Sequence, residues 1–270
     1  MITFGLTIVR HGETWYNKER LLQGQGVDEP LSEMGVKQAE AAGQYLKDVK
    51  FTNVFSSDLQ RAKQTAAIIM RSNNHSPGIT IICDPRLRER SFGIAEGKPV
   101  NSMKEMAKAA GQQCPHFTPP GGETQDQVRS RAKEFIRSLC QRMASEHLAC
   151  SGPESTDGPP PSACEGDACP PCSSATNSCN HPADGALHLA AHALVVSHGT
   201  YMRNVVKHFV EDLDCALPHS LKMSQMFSAC PNTGMCRFIL TLERNREVAP
   251  SAECVFINRK DHLASLREDE

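Results

Sequence analysis

Four short segments, far apart in the chain, carry side chains suited to handling a phosphate ester. They are Arg10-His11-Gly12-Glu13, the stretch Ser56-Ser57-Asp58-Leu59-Gln60-Arg61, the stretch Arg86-Leu87-Arg88-Glu89-Arg90, and Ser197-His198-Gly199. Neutral imidazole is a competent nucleophile near pH 7 and can carry a covalent intermediate. Moving a phosphoryl group demands positive charge and hydrogen-bond donors around its equatorial oxygens. Arg10 and Arg61 supply planar forks suited to phosphate, and His198, if protonated, adds a cation from the other side. Gly12 and Gly199 read as gaps that let backbone amides come close. Glu89 is the carboxyl placed to protonate a departing alkoxide. Each has a plainer reading when taken singly. An isolated RHG or SHG is more often a solvated loop, Arg61 could lie on a wet helix face, and Glu89 between two arginines could be a surface ion pair worth little. The combination is what selects phosphoryl transfer through a histidine. No HExxH or paired-carboxylate cluster asks for a metal, and no cofactor is expected.

The elements that must position these groups alternate. Phe4 to Val9, Asn53 to Ser56, Ile79 to Cys83 and Ala193 to Ser197 read as strands, followed late in the chain by Cys236 to Leu242 and Cys254 to Ile257. Helical periodicity marks Leu31 to Leu46, with Ser32 as N-cap, then Leu59 to Met70, Glu123 to Leu148 and Tyr201 to Val210. Strands alternating with helices predict an α/β fold, a three-layer α/β/α sandwich on a mostly parallel sheet. In such sheets the ligand crevice lies beyond the carboxyl ends of the strands. All four segments above sit at or just after such an end.

Composition frames the rest. A chain of 270 residues can bury a sizeable core. No run approaches the roughly 18 apolar residues of a membrane span. The start, Met-Ile-Thr-Phe-Gly, has neither the basic nor the apolar region of a secretory signal, so a cytoplasmic protein is expected, with most of the 12 cysteines as free thiols. No basic tract suggests nucleic acid. Residues 151–186 stand apart. They contain seven prolines and no Val, Ile, Leu, Met, Phe, Tyr or Trp, and so read as a disordered loop interrupting one domain that spans residues 1–270. Cys164, Cys169, Cys172 and Cys179, with His181, raise a zinc reading through Cys169-Pro-Pro-Cys172. The irregular spacing and the lack of apolar flanks favour free thiols. The loop holds five acids and no Lys or Arg, so the remaining chain is mildly basic, a bias that suits a small anionic substrate. Protein partners are not legible.

The ordered set LTIVRHGETWYN, SSDLQRAKQTA, RLRERSFGIAEG, PPGGET and VVSHGTYMR resembles the histidine phosphatase superfamily in its phosphoglycerate-mutase-like branch, over about residues 4–150 and 190–258. The resemblance implies that His11 is the phosphorylated nucleophile and Glu89 the proton donor and acceptor. It implies that Arg10, Arg61 and His198 hold the phosphoryl group, with Asn17 and Gly199 lining the pocket and Gln23 and Gly24 in a loop that meets substrate. It further implies a small phosphorylated metabolite as substrate, with the 2-phosphate of fructose 2,6-bisphosphate foremost. A bisphosphate needs a second basic cluster, for which Arg203, Lys98, Arg86, Arg88 and Arg90 are candidates. A mutase would use the same histidines but return the phosphoryl group to a hydroxyl; Gly24-Gln25-Gly26 lacks the tryptophan mutases tend to carry there, which leans towards a phosphatase. A broader phosphatase of metabolites such as bisphosphoglycerate, and a non-enzymatic scaffold using the acidic loop, complete the alternatives.

Overall fold

A computed structural model describes residues 1–114, 117–148, 189–218, 221, 223–243, 250–264 and 266. The expected loop at 151–186, with its cysteines, lies outside the described residues. Six strands form one sheet: β1 (Ile2–Arg10), β2 (Asn53–Ser56), β3 (Ile81–Cys83), β4 (His192–Ser197), β5 (Met235–Leu242) and β6 (Ser251–Arg259), in the order β3-β2-β4-β1-β5-β6. The first four are mutually parallel, β5 runs antiparallel to β1, and β6 antiparallel to β5. Five strands therefore share one direction and β5 alone opposes it.

Strand alternation explains the layers. Phe4, Leu6 and Ile8 of β1, with Ala193 and Val195 of β4, face a core shared with α5 (Gln125–Leu148) and α6 (Gly199–Lys207). Val9, Leu194 and Val196 face the opposite core, packed by α2 (Glu33–Leu46) and α3 (Gln60–Arg71). Side chains at i and i+2 share a face, so a strand apolar at every position is covered on both sides, and the molecule is the expected three-layer sandwich. Shorter helices complete it: α1 (Trp15–Lys18), α4 (Ser102–Ala109) and α7 (Met223–Met226). They carry no apolar stripe long enough to announce them; α1 rests on a capping box between Thr14 and Asn17, and α4 buries only Ala107.

Two local outcomes differ from the sequence reading. The helix expected to run through Val210 ends as α-helix at Lys207 and continues as a π turn, His208–Asp212, in which the Leu213 amide reaches back to the His208 carbonyl at 3.2 Å. His208 Nδ1 and Asp212 bridge the wide turn at 2.7 Å. Gly12, expected to open space for a phosphate, instead opens space for α2. A Cβ there would lie 2.5 Å from the Gly35 carbonyl oxygen, and the Gly12 amide is already given to Thr65 Oγ1 at 3.0 Å. Gly35 mirrors this constraint, since its own Cβ would collide with the Glu13 carbonyl. Ser32 caps α2 as expected, accepting from the Gly35 amide at 3.0 Å while its hydroxyl donates to Glu13 at 2.8 Å. The turn carrying His11 is thus clamped to the start of α2.

Gly35→Ala tests that clamp with a decided sign. In an ordinary helix the change would stabilise by about 1 kcal/mol; here the collision should dominate and destabilise by about 1–3 kcal/mol. A lower urea midpoint at unchanged m-value checks it, and a raised midpoint would remove the clamp from the account.

Candidate active site

The ladder between β1 and β4 sets Arg10 opposite Ser197, so the next residues on each strand, His11 and His198, leave the sheet side by side. Their ring centroids are 5.1 Å apart. One strand further, β2 ends with Ser56 opposite Val196, and Ser57 follows beneath His198. The expected strand ends therefore meet at one crevice.

A hydrogen bond to a carbonyl fixes the His11 tautomer. His11 Nδ1 lies 2.7 Å from the Gly12 carbonyl, which can only accept, so Nδ1 carries the proton and Nε2 presents a lone pair. His198 Nε2 lies 2.9 Å from Ser57 Oγ, which also accepts the Leu59 amide at 3.3 Å. His198 Nδ1 is buried without a partner, and it carries the ring proton in the tautomer in which Ser57 donates to Nε2. Burial, reinforced by Arg61 and Arg10, holds His11 well below the ordinary imidazole pKa. Burial, then Arg61, His11 and Arg10, does the same to His198. Both rings are therefore neutral near pH 7. His198 is thus a neutral ring in the free site, where the sequence reading had considered a cation.

The arginines are aimed by backbone carbonyls. Arg61, in the first turn of α3 and fully buried, gives Nη1 to Val27 O at 2.9 Å and Nη2 to Gly24 O at 2.8 Å. Arg10 gives Nη1 to Cys230 O at 2.6 Å. In each, Nε is buried and unpartnered. Burial lowers both guanidinium pKa values, Arg61 to about 10, which still leaves them charged at neutral pH. A Cβ on Gly199 would stand 3.4 Å from Arg10 Nε, an ordinary contact, so Gly199 lies against the Arg10 guanidinium without the close approach that would demand a glycine. Arg203, one turn along α6, has an unpartnered Nε and adds its charge to the field around Arg10.

Glu89 faces this group from the acid-bearing loop. Its carboxyl accepts from the amides of Arg90 at 2.8 Å, Thr200 at 3.1 and 3.2 Å, and Tyr201 at 3.3 Å. The last two are the first-turn donors of α6, a helix end that favours an anion. Asn17 is tied in less directly: its Oδ1 accepts from Thr14 and from Asn232 Nδ2, which also bonds the His11 carbonyl. Gln23 is buried with an unpartnered Oε1, and Gly24, at φ +59°, turns its carbonyl to Arg61. Gly24 acts through Arg61, and its neighbours Gln25 and Gly26 spend their amides on the Glu96 carboxylate at 3.1 and 2.7 Å.

Three candidates for a second basic cluster, Arg86, Arg88 and Arg90, are already paired within the protein. Arg86 is bonded to Asp84, Arg88 to Asp58 at 2.6 and 2.8 Å, and Arg90 to the carbonyls of Glu123 and Phe117. Lys98 is exposed and forms no ion pair among the described residues. Sequence reasoning missed Ser57, Glu96, Glu123 and Arg131. Ser57, Glu96 and Glu123 stand inside the motifs SSDLQRAKQTA, RLRERSFGIAEG and PPGGET without a role assigned, and Arg131 lies in none of them. Among the described residues no group of three or more His, Cys, Asp or Glu side chains converges as a metal site.

Comparison with known proteins accords with this geometry. The model of the histidine phosphatase superfamily, branch 1, matches residues 6–152. The chain belongs to that superfamily. It is 53% identical over 274 residues to the zebrafish (Danio rerio) protein named fructose-2,6-bisphosphatase TIGAR B, covering 100% of both chains. To the Xenopus laevis protein named fructose-2,6-bisphosphatase TIGAR it is 51% identical, covering 100% of this chain and 98% of the relative. Among solved structures, a phosphoglycerate mutase from Bacillus anthracis superposes with a TM-score of 0.67 at 21% identity, covering 98% of this chain and 97% of that one. The last likeness bears on the fold.

The two neutral rings make stability depend on pH with a definite sign. Their folded pKa values lie below the unfolded value near 6.5, so the unfolded chain binds more protons as the medium turns acid. Stability is full above about pH 6.5 and falls as pH drops below it, by about 1.4 kcal/mol per pH unit for each ring. Urea titrations of the free protein at pH 7, 6 and 5 should show this slope, and His11→Gln should remove one ring's share; an unchanged slope in that variant would contradict a neutral His11.

Proposed function

We propose that the chain is a metal-independent phosphatase that hydrolyses fructose 2,6-bisphosphate to fructose 6-phosphate and inorganic phosphate. One observation carries the chemistry: the unprotonated Nε2 of His11 stands beside a partnerless His198 Nδ1, between two arginines whose Nε groups are also unpartnered. Buried donors without acceptors are costly, and a phosphoryl group supplies the oxygens they lack. The substrate rests on the printed names of the full-length relatives, fructose-2,6-bisphosphatases.

In the cycle, His11 Nε2 attacks phosphorus in line while the P–O bond to the sugar breaks. Glu89 gives its proton to the departing oxygen, leaving phosphohistidine and a carboxylate. Water then attacks the phosphoryl group, its proton passes to Glu89, and phosphate leaves with His11 neutral again. Arg10, Arg61 and His198 donate to the equatorial oxygens, where charge is spread in the transition state. Asn17, Gln23, Gly24 and Gly199 shape the pocket, and Arg203 and Lys98 are the candidate cations left to meet a second phosphate. Removing fructose 2,6-bisphosphate from the cytoplasm would restrain glycolysis and favour the pentose phosphate route. One domain carries the reaction, with no role for nucleic acid.

A broader small-metabolite phosphatase is favoured by one feature, the internal pairing of Arg86, Arg88 and Arg90, which leaves few cations for a second phosphate. Rapid-quench mixing with labelled substrate should trap an acid-labile, base-stable phosphoenzyme, absent in His11→Ala; label persisting in that variant would sink the mechanism. Side-by-side kcat/KM for fructose 2,6-bisphosphate, fructose 1,6-bisphosphate and 2,3-bisphosphoglycerate decides the substrate. A preference of at least tenfold for the first is expected, and a flat profile would support the broader enzyme.

A further inference from the structure

Arg131 touches none of the groups that face the phosphate pocket, yet all five of its N–H donors are used. From α5, Nη1 donates to the carbonyl oxygens of Arg86 at 2.8 Å and Arg88 at 2.6 Å, and Nη2 to that of Glu89 at 2.9 Å. Nε and Nη2 take the two Glu123 oxygens, each at 3.0 Å. The guanidinium also lies 5.5 Å from the ring centroid of Tyr201, whose amide is one of the donors to the Glu89 carboxyl. Glu123 extends the brace. Its Oε2 accepts the Ser91 amide at 2.9 Å and Gln25 Nε2 at 3.0 Å, and that same nitrogen reaches the Glu89 carbonyl at 2.8 Å.

Residues 88–92 belong to no helix or strand, so no regular ladder fixes the direction in which Glu89 leaves the backbone. Three carbonyls within four residues turned to one planar fork do fix it. The pair is largely enclosed, with 15% of the Arg131 side chain and 22% of the Glu123 side chain exposed, and its contact is bidentate. This is the geometry in which a charged pair holds orientation, unlike a loose surface pair.

We propose that Arg131, braced by Glu123, is the positioning residue for Glu89, fixing the 86–89 backbone so that the carboxyl stands at the first turn of α6 inside the pocket. The inference rests on Glu89 being the proton donor of the proposed cycle. A lysine at 131 would keep the charge but offer three donors and no fork, so Arg131→Lys isolates geometry from charge. An arginine needed only for folding would depress every substrate alike. One that aims a proton donor matters only when the leaving group needs a proton.

The experiment compares phosphoenzyme formation from an alkyl ester with first-turnover nitrophenolate release from p-nitrophenyl phosphate, whose leaving group departs unprotonated. The alkyl ester is fructose 2,6-bisphosphate, or whichever ester of the panel above is turned over fastest. Glu89→Gln is the reference variant. Arg131→Lys should slow the alkyl reaction at least tenfold with KM within threefold, and leave the nitrophenolate burst within threefold. Glu123→Gln should follow in the same direction, and it carries the test if thermal melting shows that Arg131→Lys does not fold. Equal losses on both esters, or no loss on either, while Glu89→Gln discriminates between them, would overturn the positioning role alone. If Glu89→Gln itself treats both esters alike, the proton-donor reading fails and this inference fails with it.

Discussion

The parallel register of β1 against β4 is the constraint on which the site depends. Because Arg10 pairs with Ser197, two histidines far apart in sequence emerge together at the carboxyl edge of the sheet. A slip of one residue would carry every side chain of β1 to the other face. The apolar positions of β1 prevent it, since Phe4, Leu6 and Ile8 pack towards α5 and α6 while Val9 packs towards α2 and α3. Core packing and catalytic geometry are therefore set by one pattern. The chain beyond β1 is held as firmly: the His11 amide continues the ladder to Ser197 O at 2.9 Å, and the Ser57 amide does so to Val196 O at 2.9 Å.

Gathering two arginines and two histidines in a buried crevice works against stability. The protein limits the conflict in two ways. It keeps both rings neutral, so only the guanidinium charges remain, and it satisfies part of each guanidinium with backbone carbonyls while leaving Nε of both open. The open donors are what a ligand can answer. Functional sites are where a fold tolerates unsatisfied polar groups that a core would not.

The strand ends were legible because α/β sheets place ligands at their carboxyl edge, and because His11, Arg61, Glu89 and His198 sit in short patterns next to those ends. The apolar runs of β1 and β4 announced burial on both faces. What could not be read depends on partners distant in the chain. Arg88 looks like a free cation until Asp58, 30 residues away, is seen to hold it. Arg131 reads as an ordinary solvated helix residue until the 86–89 carbonyls, more than 40 residues upstream, turn out to face it. Gly12 was misread because its neighbour across space is the Gly35 backbone, a contact with no signature in sequence. Helix α4 escaped because it is only eight residues long, so Met103, Met106 and Ala107 at helical spacing make too short a pattern to stand out.

Glu96 gives the pocket a character of its own. One carboxylate takes the amides of Gln25, Gly26 and Phe92, and a Cβ on Gly24 would collide with it. The 24–26 segment, in which the Gly24 carbonyl steadies Arg61, is thereby bolted to the 91–96 segment across the rim. The wall of the crevice at this point is a fixed jamb and not a door. Choice among phosphate esters then falls, along this part of the rim, to the outline of a preformed opening.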